Sequence, residues 1–126
     1  NCFCTMGSGV ALSIKNNFPD AYVADCRTVN GDKSKLGTWT STVTKYGPVF
    51  NLYGQFNYGK DGARYTKYEA LYSAMNDMAR VLRTVNFNGK IGLPKIGCGT
   101  AGGNWSIVSM IIEEVLSDWE VIIYEL

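Results

Sequence analysis

Between residues 96 and 105 the chain sets Gly97, Gly99, Gly102 and Gly103 within seven positions, directly after a short apolar run and directly before a helical pattern. A strand that hands over to a helix through so glycine-rich a loop belongs to an open α/β sheet. In such sheets the loop lies at the carboxyl edge of the strands, where ligands bind. Four glycines in a plain connection would only raise the entropy lost on folding, so this loop reads as a binding element. A shorter loop shares its character. In Met6-Gly7-Ser8-Gly9-Val10, glycines without Cβ atoms let backbone N–H groups approach an oxyanion where a helix begins, and that helix end adds about half a positive charge. A lone G-x-G of this kind reads first as a tight helix-entry turn; beside the second loop it reads as the other half of a diphosphate cradle. Neither loop matches the dinucleotide fingerprint G-x-G-x-x-G, and neither carries the G-K-[ST] end of a P-loop. Magnesium-dependent nucleotide hydrolysis is therefore not indicated.

The rest of the pattern fits the same architecture. Val10, Ile14 and Phe18 share a face at helical spacing, which predicts a helix over residues 9–18. Pro19 breaks it, Asp20 is expected to cap the next helix, and residues 21–28 read as that second, short helix. A polar loop spans 30–38, and strands are expected over 38–46 and 48–53. Residues 54–66 form a long loop with three glycines and the aromatics Phe56, Tyr58 and Tyr65, a length that usually has a binding role. Tyr68, Leu71, Met75, Met78 and Leu82 mark an amphipathic helix over 67–85. A strand at 90–95, the loop 96–104, a helix over 105–116 and a last strand at 120–124 complete the chain. Alternating helices and apolar strands predict an α/β fold, a three-layer α/β/α sandwich. At 126 residues with 46% apolar content, one domain covering residues 1–126 is expected.

Charge and composition remove several function classes. Twelve basic against eleven acidic residues leave +1, no broad positive field for nucleic acid. The apolar runs are too short to span a bilayer. The chain has no histidine, which removes Ser-His and Cys-His nucleophile systems and histidine acid catalysis together. Cys2, Cys4, Cys26 and Cys98 are expected to be free thiols, and the Cys2-x-Cys4 pair lacks a partner pair or histidine for zinc, so no metal is expected. The first residue, Asn1, already reads as loop, so a leading strand pair is expected ahead of it.

Taken in order, the segments Asn1-Cys2-Phe3-Cys4-Thr5-Met6-Gly7-Ser8-Gly9-Val10-Ala11, Phe18-Pro19-Asp20-Ala21-Tyr22, Gly31-Asp32-Lys33 with Leu36-Gly37, Asn51-Leu52-Tyr53-Gly54-Gln55, Tyr65-Thr66-Lys67-Tyr68-Glu69-Ala70-Leu71, and Leu93-Pro94-Lys95-Ile96-Gly97-Cys98-Gly99 with Ala101-Gly102-Gly103-Asn104-Trp105 resemble a macro domain. The branch they resemble is the ADP-ribose 1''-phosphate phosphatase-like group of bacteriophages and yeast. The resemblance implies a mixed, largely parallel sheet of about six strands, with ADP-ribose across its crest and the family's first strands lying ahead of Asn1. It implies a ligand site built from Met6, Gly7, Ser8, Gly9 and Val10 on one side and Ile96, Gly97, Cys98, Gly99, Thr100, Ala101, Gly102, Gly103 and Asn104 on the other, with Gln55 and Tyr58 beside them. Asn1 lies near the distal ribose, and Asn1 and Asn104 stand at the positions expected to carry catalysis. The acidic residue that reads adenine in the family falls upstream of Asn1.

Three departures bear on chemistry. Hydrolases of the family that remove ADP-ribose from glutamate or DNA carry a lysine where this chain has Gln55, and an aspartate where it has Thr100-Ala101. Phosphatase-like relatives carry Asp where Asn104 precedes Trp105. The resemblance thus implies ADP-ribose binding with hydrolysis of the terminal phosphate of ADP-ribose 1''-phosphate. The alternatives are a non-catalytic ADP-ribose-binding module and, third, an ADP-ribosyl hydrolase. No cofactor, a small-molecule partner, a monomer and a cytoplasmic setting are expected. Of the single residues, Cys98 lacks an activating partner and reads as a small apolar group. Trp105 reads as a core anchor for its helix. Tyr58 and Tyr65 read equally as ribose covers or surface aromatics, and Lys95 as a phosphate contact or a solvated strand end. Asp61 and Glu69 read as solvated or capping groups.

Overall fold

The computed structural model describes residues 1–125. Nine residues, Gly9–Asn17, form α1, and Pro19–Cys26 form α2. A single 3-10 turn covers Lys33–Lys35. Strands β1 (Trp39–Thr44) and β2 (Gly47–Leu52) make an antiparallel hairpin, with Trp39 opposite Leu52 and Thr44 opposite Gly47. Then come α3 (Tyr68–Thr84), β3 (Ile91–Pro94), α4 (Trp105–Val115) and β4 (Val121–Tyr124). Strands β3 and β4 pair in parallel, Ile91 opposite Val121, which requires a crossover, and α4 supplies it.

Side-chain alternation places the layers. On β2, Phe50 and Leu52 point into the main core with Trp39, while Asn51 points the other way and donates from Nδ2 to Ala21 O on α2 at 2.9 Å. The main core is Leu71, Met75, Met78, Ala79 and Leu82 of α3 against Leu93 of β3 and Val108, Ile112 and Val115 of α4, with Leu116 just beyond. The α3 residues recur every three or four positions, so one stripe of the helix is buried and the other face is left to charge. Asn86, at φ 57°, ends α3 in the left-handed conformation, and Phe87 N donates back to Leu82 O at 2.9 Å.

Two expectations are corrected, the start of the second helix and the state of two cysteines. The helix expected from Ala21 begins at Pro19: proline at the first helical position has the φ the helix needs and no N–H to lose, so Asp20 lies inside the first turn and makes no capping bond. The α/β macro domain-like class expected from the sequence holds, with the described strands in two pairs, β1–β2 antiparallel and β3–β4 parallel. Cys4 and Cys26 are joined in a disulfide, leaving Cys2 and Cys98 as the free thiols. The helical hairpin α1–α2 folds the end of α2 back against the first loop and brings the two Cα atoms to 5.4 Å, a proximity that a sequence separation of 22 conceals. No described helix is long and apolar enough to cross a membrane.

Candidate functional site

The first loop is shaped by its own side chains. Asn1 Nδ2 donates to Thr5 O at 3.0 Å while its Oδ1 accepts from Phe3 N at 2.9 Å, closing a compact turn. Cys2 N donates to Phe56 O at 2.9 Å, and Gly31 N donates to Cys2 O at 2.7 Å, so the loop is stitched to two other segments. The Phe3 ring meets Phe56 edge-on at 4.9 Å and Tyr58 at 6.4 Å. Behind it, Tyr53 Oη donates to the buried Asp25 carboxylate at 2.6 Å, and the neighbouring half of the disulfide, Cys26, holds Cys4. Burial first, and the Asp25 hydrogen bond second, push the Tyr53 phenol far above its ordinary range, so it stays a donor.

With that scaffold in place, the loop's donors are left over. Among the described residues, no backbone N–H from residue 4 to residue 11 has a protein acceptor, although Phe3 and Leu12 on either side do. Ser8 is the N-cap of α1 but makes no side-chain capping bond, and Gly9 turns into the helix at φ 57° with nothing within 4 Å of where a Cβ would sit. Backbone donors without protein partners at a helix start are groups that an anion can satisfy.

In the second loop, three of the four glycines are demanded by the fold itself. Gly97 (φ 72°) has Thr66 Oγ1 at 2.9 Å from a would-be Cβ, Gly102 (φ 75°) has Ala63 O at 2.9 Å, and Gly103 lies against Gly97 O. Packing within the loop and against residues 63–66 thus accounts for the absence of a side chain at Gly97, Gly102 and Gly103, whereas Gly99 is under no such constraint. That residue has no positive φ and nothing within 4 Å. Around it, Cys98 N, Gly102 N and Gly103 N donate to Lys95, Gly99 and Gly97 carbonyls, whereas the N–H groups of Gly99, Thr100 and Ala101 have no protein acceptor among the described residues. Three successive free donors next to an open glycine are what an oxyanion requires.

The loops converge. Asn1 and Gly97 line one cavity of about 40 Å³ with Leu52, Gly54, Gln55, Thr66, Leu71 and Ile96, room for a small group rather than a nucleotide. A more open groove of about 350 Å³ lies along the second loop and is lined by Lys60, Gly62, Gly99, Thr100 and Gly102. Gln55 reaches the cavity wall and donates from Nε2 to Asn57 O at 2.9 Å. Asn104 caps α4, its Oδ1 accepting from Ser106 N at 2.8 Å, while its own N donates to Tyr68 Oη at 2.9 Å. It does not line the cavity that Asn1 lines. Met6 is buried and its loop neighbours Ser8 and Val10 are partly covered. Tyr58 is half exposed against Phe3.

Other residues settle into structural places. Burial pushes the Cys98 thiol up, against a smaller downward pull from Lys95, which disfavours the thiolate. Lys95 pairs with Glu125 at 2.8 Å, and Trp105 packs against the core. The Asp61 carboxylate accepts from Ala63 N at 3.1 Å and Tyr65 Oη at 2.9 Å, and Glu69 lies in the first turn of α3, where its charge suits the helix end. Sequence reasoning missed Thr66, whose Oγ1 donates to Gly97 O at 2.6 Å from a buried position, and Lys60 on the groove wall. The available signal was the Tyr65-Thr66 pair closing a long loop; nothing in residue spacing links position 60 to position 99.

The Macro domain family model matches residues 1–112. An uncharacterised 17.5 kDa protein of Enterobacteria phage T4 is 36% identical over 131 residues, spanning 99% of this chain and 81% of the phage protein. The macrodomain of Thermus aquaticus DarG superposes with a TM-score of 0.79 at 25% identity, covering 100% of this chain and 85% of that one. Thermosipho africanus DarTG, solved in complex with ADP-ribose, shares the fold at TM-score 0.78 and 19% identity, covering 100% of this chain and 36% of its own.

Proposed function

The chain belongs to the macro domain family, and from that membership we propose that it binds ADP-ribose, holding the diphosphate between the free N–H groups of residues 4–11 and those of Gly99, Thr100 and Ala101. The observation that supports the reading is that pair of unpaired donor runs, one beginning three residues after Asn1 and the other two residues after Gly97, with Asn1 and Gly97 themselves on a shared cavity wall. A diphosphate presents acceptors and no donors, so it satisfies such runs without any basic side chain. The ADP-ribose complex of the Thermosipho protein, which has the same fold, supports the choice of ligand.

We further propose that the reaction is hydrolysis of ADP-ribose 1''-phosphate to ADP-ribose and inorganic phosphate. Water attacks phosphorus and the bond to the ribose oxygen breaks, with loop N–H groups stabilising charge on the phosphoryl oxygens. Asn1 and Asn104 serve as orienting groups. Asn104 keeps its Nδ2 for this, because capping α4 uses only Oδ1. A specific observation favours the second reading, a binding module without turnover: among the described residues no ionisable side chain lines the cavity shared by Asn1 and Gly97. Removal of ADP-ribose from protein or DNA is the third, and the neutral amide of Gln55 leaves it without a lysine at that place.

Incubation with ADP-ribose 1''-phosphate and assay of released phosphate separates the first two. Release above a blank supports the phosphatase, whereas saturable binding with the ligand recovered intact supports the binding module. Release of ADP-ribose from a modified protein would overturn the reading of Gln55.

A further inference from the structure

Residues 59–66 form a strap fastened along the outside of the second loop. Tyr65 N and Thr66 N both donate to Ala101 O, at 2.8 and 3.2 Å, and Gly102 fits under Ala63 and Arg64 only because it has no Cβ. The strap is braced internally as well. Asp61 accepts from Ala63 N and from Tyr65 Oη through both carboxylate oxygens, and Gly59 lies against the Tyr65 phenol. This bracing sets where Lys60 goes: it lines the groove beside Gly62, Gly99, Thr100 and Gly102, and among the described residues it is the only charged one on that wall.

Two observations thus meet at one place. Gly99, Thr100 and Ala101 carry backbone donors with no protein acceptor, and the wall facing Gly99 and Thr100 carries a cation with no described salt-bridge partner. The neighbouring carboxylate, Asp61, is already occupied by two donors of its own strap, and those donors hold it ionised below the ordinary carboxylate range. Arg64, the other cation of the strap, lies over the Tyr68 ring at 4.7 Å, towards the Asn104 end of the loop. The groove therefore offers directional N–H donors on one side and a mobile ammonium on the other, the combination that recognises a phosphoryl anion rather than a neutral sugar or base.

We propose that Lys60 is a charge-specificity residue of the ligand site: with the backbone of Gly99, Thr100 and Ala101 it forms a subsite for a phosphoryl group, and it makes binding selective for ligands carrying that charge. The proposal rests on the ADP-ribose reading and adds the residue that supplies the positive charge. Lys60 is exposed and its contribution is electrostatic, so it weakens as salt screens it.

The test is calorimetric titration of ADP-ribose into the parent protein, Lys60→Met, Lys60→Arg and Lys60→Glu at low and at high ionic strength, with thermal unfolding of each variant as a control. The expected result is an affinity lower by about tenfold in Lys60→Met at low salt. Lys60→Glu loses more and Lys60→Arg stays near the parent, the difference shrinks at high salt, and the unfolding temperatures match. If the parent binds and Lys60→Met binds equally well at low salt, the role of Lys60 is overturned while the ADP-ribose reading stands. If the parent does not bind ADP-ribose, both are overturned.

Discussion

Gly97 and Gly99 stand two positions apart and answer to different demands. Gly97 is in the left-handed region with Thr66 Oγ1 where a methyl would go, so Gly97→Ala is expected to destabilise the fold by about 1–3 kcal/mol. Gly99 has neither constraint, so Gly99→Ala is expected to leave stability within about 0.5 kcal/mol. It should nonetheless weaken ADP-ribose binding by about tenfold, since a methyl there obstructs the approach to the free donors. Urea unfolding and calorimetry on both variants check the contrast, and equal behaviour of the two would contradict it. Tyr53 makes a second residue-scale prediction. Its phenol, raised in the folded state above the ordinary 10.0, donates to buried Asp25 only while protonated. Its stabilisation is thus complete below pH 10.0 and is lost as pH climbs towards the higher folded value. Tyr53→Phe is expected to cost about 1–3 kcal/mol at neutral pH. The gap between parent and variant should narrow above pH 10.0, and a gap that stays constant to strongly alkaline pH would refute the assignment.

At the scale of elements, α4 shows how a ligand loop and a helix start share a residue. Asn104 caps Ser106, so Asn104→Ala is expected to cost about 0.5–2 kcal/mol in thermal unfolding. Asn104→Asp keeps the cap and restores the carboxylate of phosphatase-like relatives, so it is expected to raise phosphate release from ADP-ribose 1''-phosphate at unchanged stability. No rise would remove Asn104 from the reaction. The helices α3 and α4 were legible to within a residue or two, because long stripes of Leu, Met, Ile and Val leave little ambiguity of period. The start of α2 was not, since Pro19 serves as both a stop for one helix and the first residue of the next. Within the loops, glycine content was legible, but its cause was divided between ligand access and the strap at 59–66, a contact between segments more than thirty residues apart.

For the molecule as a whole, the α/β class followed from alternating elements, whereas two long-range features did not. The Cys4–Cys26 bond depends on how α1 and α2 fold together, and the division into the pairs β1–β2 and β3–β4 depends on which strands find partners. Closing a loop of 22 residues, the disulfide is expected to contribute about 3 kcal/mol, so reduction with a phosphine should lower the urea midpoint accordingly. Cys26→Ser should show the lower midpoint with or without reductant. Above these details stands the claim that two runs of unpaired backbone donors make an ADP-ribose site. Calorimetric titration of ADP-ribose into the oxidised protein decides between these outcomes: saturable binding with one ligand per chain is expected, with much weaker binding of ribose, which lacks the diphosphate. Absence of saturable heat with ADP-ribose at millimolar concentration, in protein shown to be folded, would contradict it.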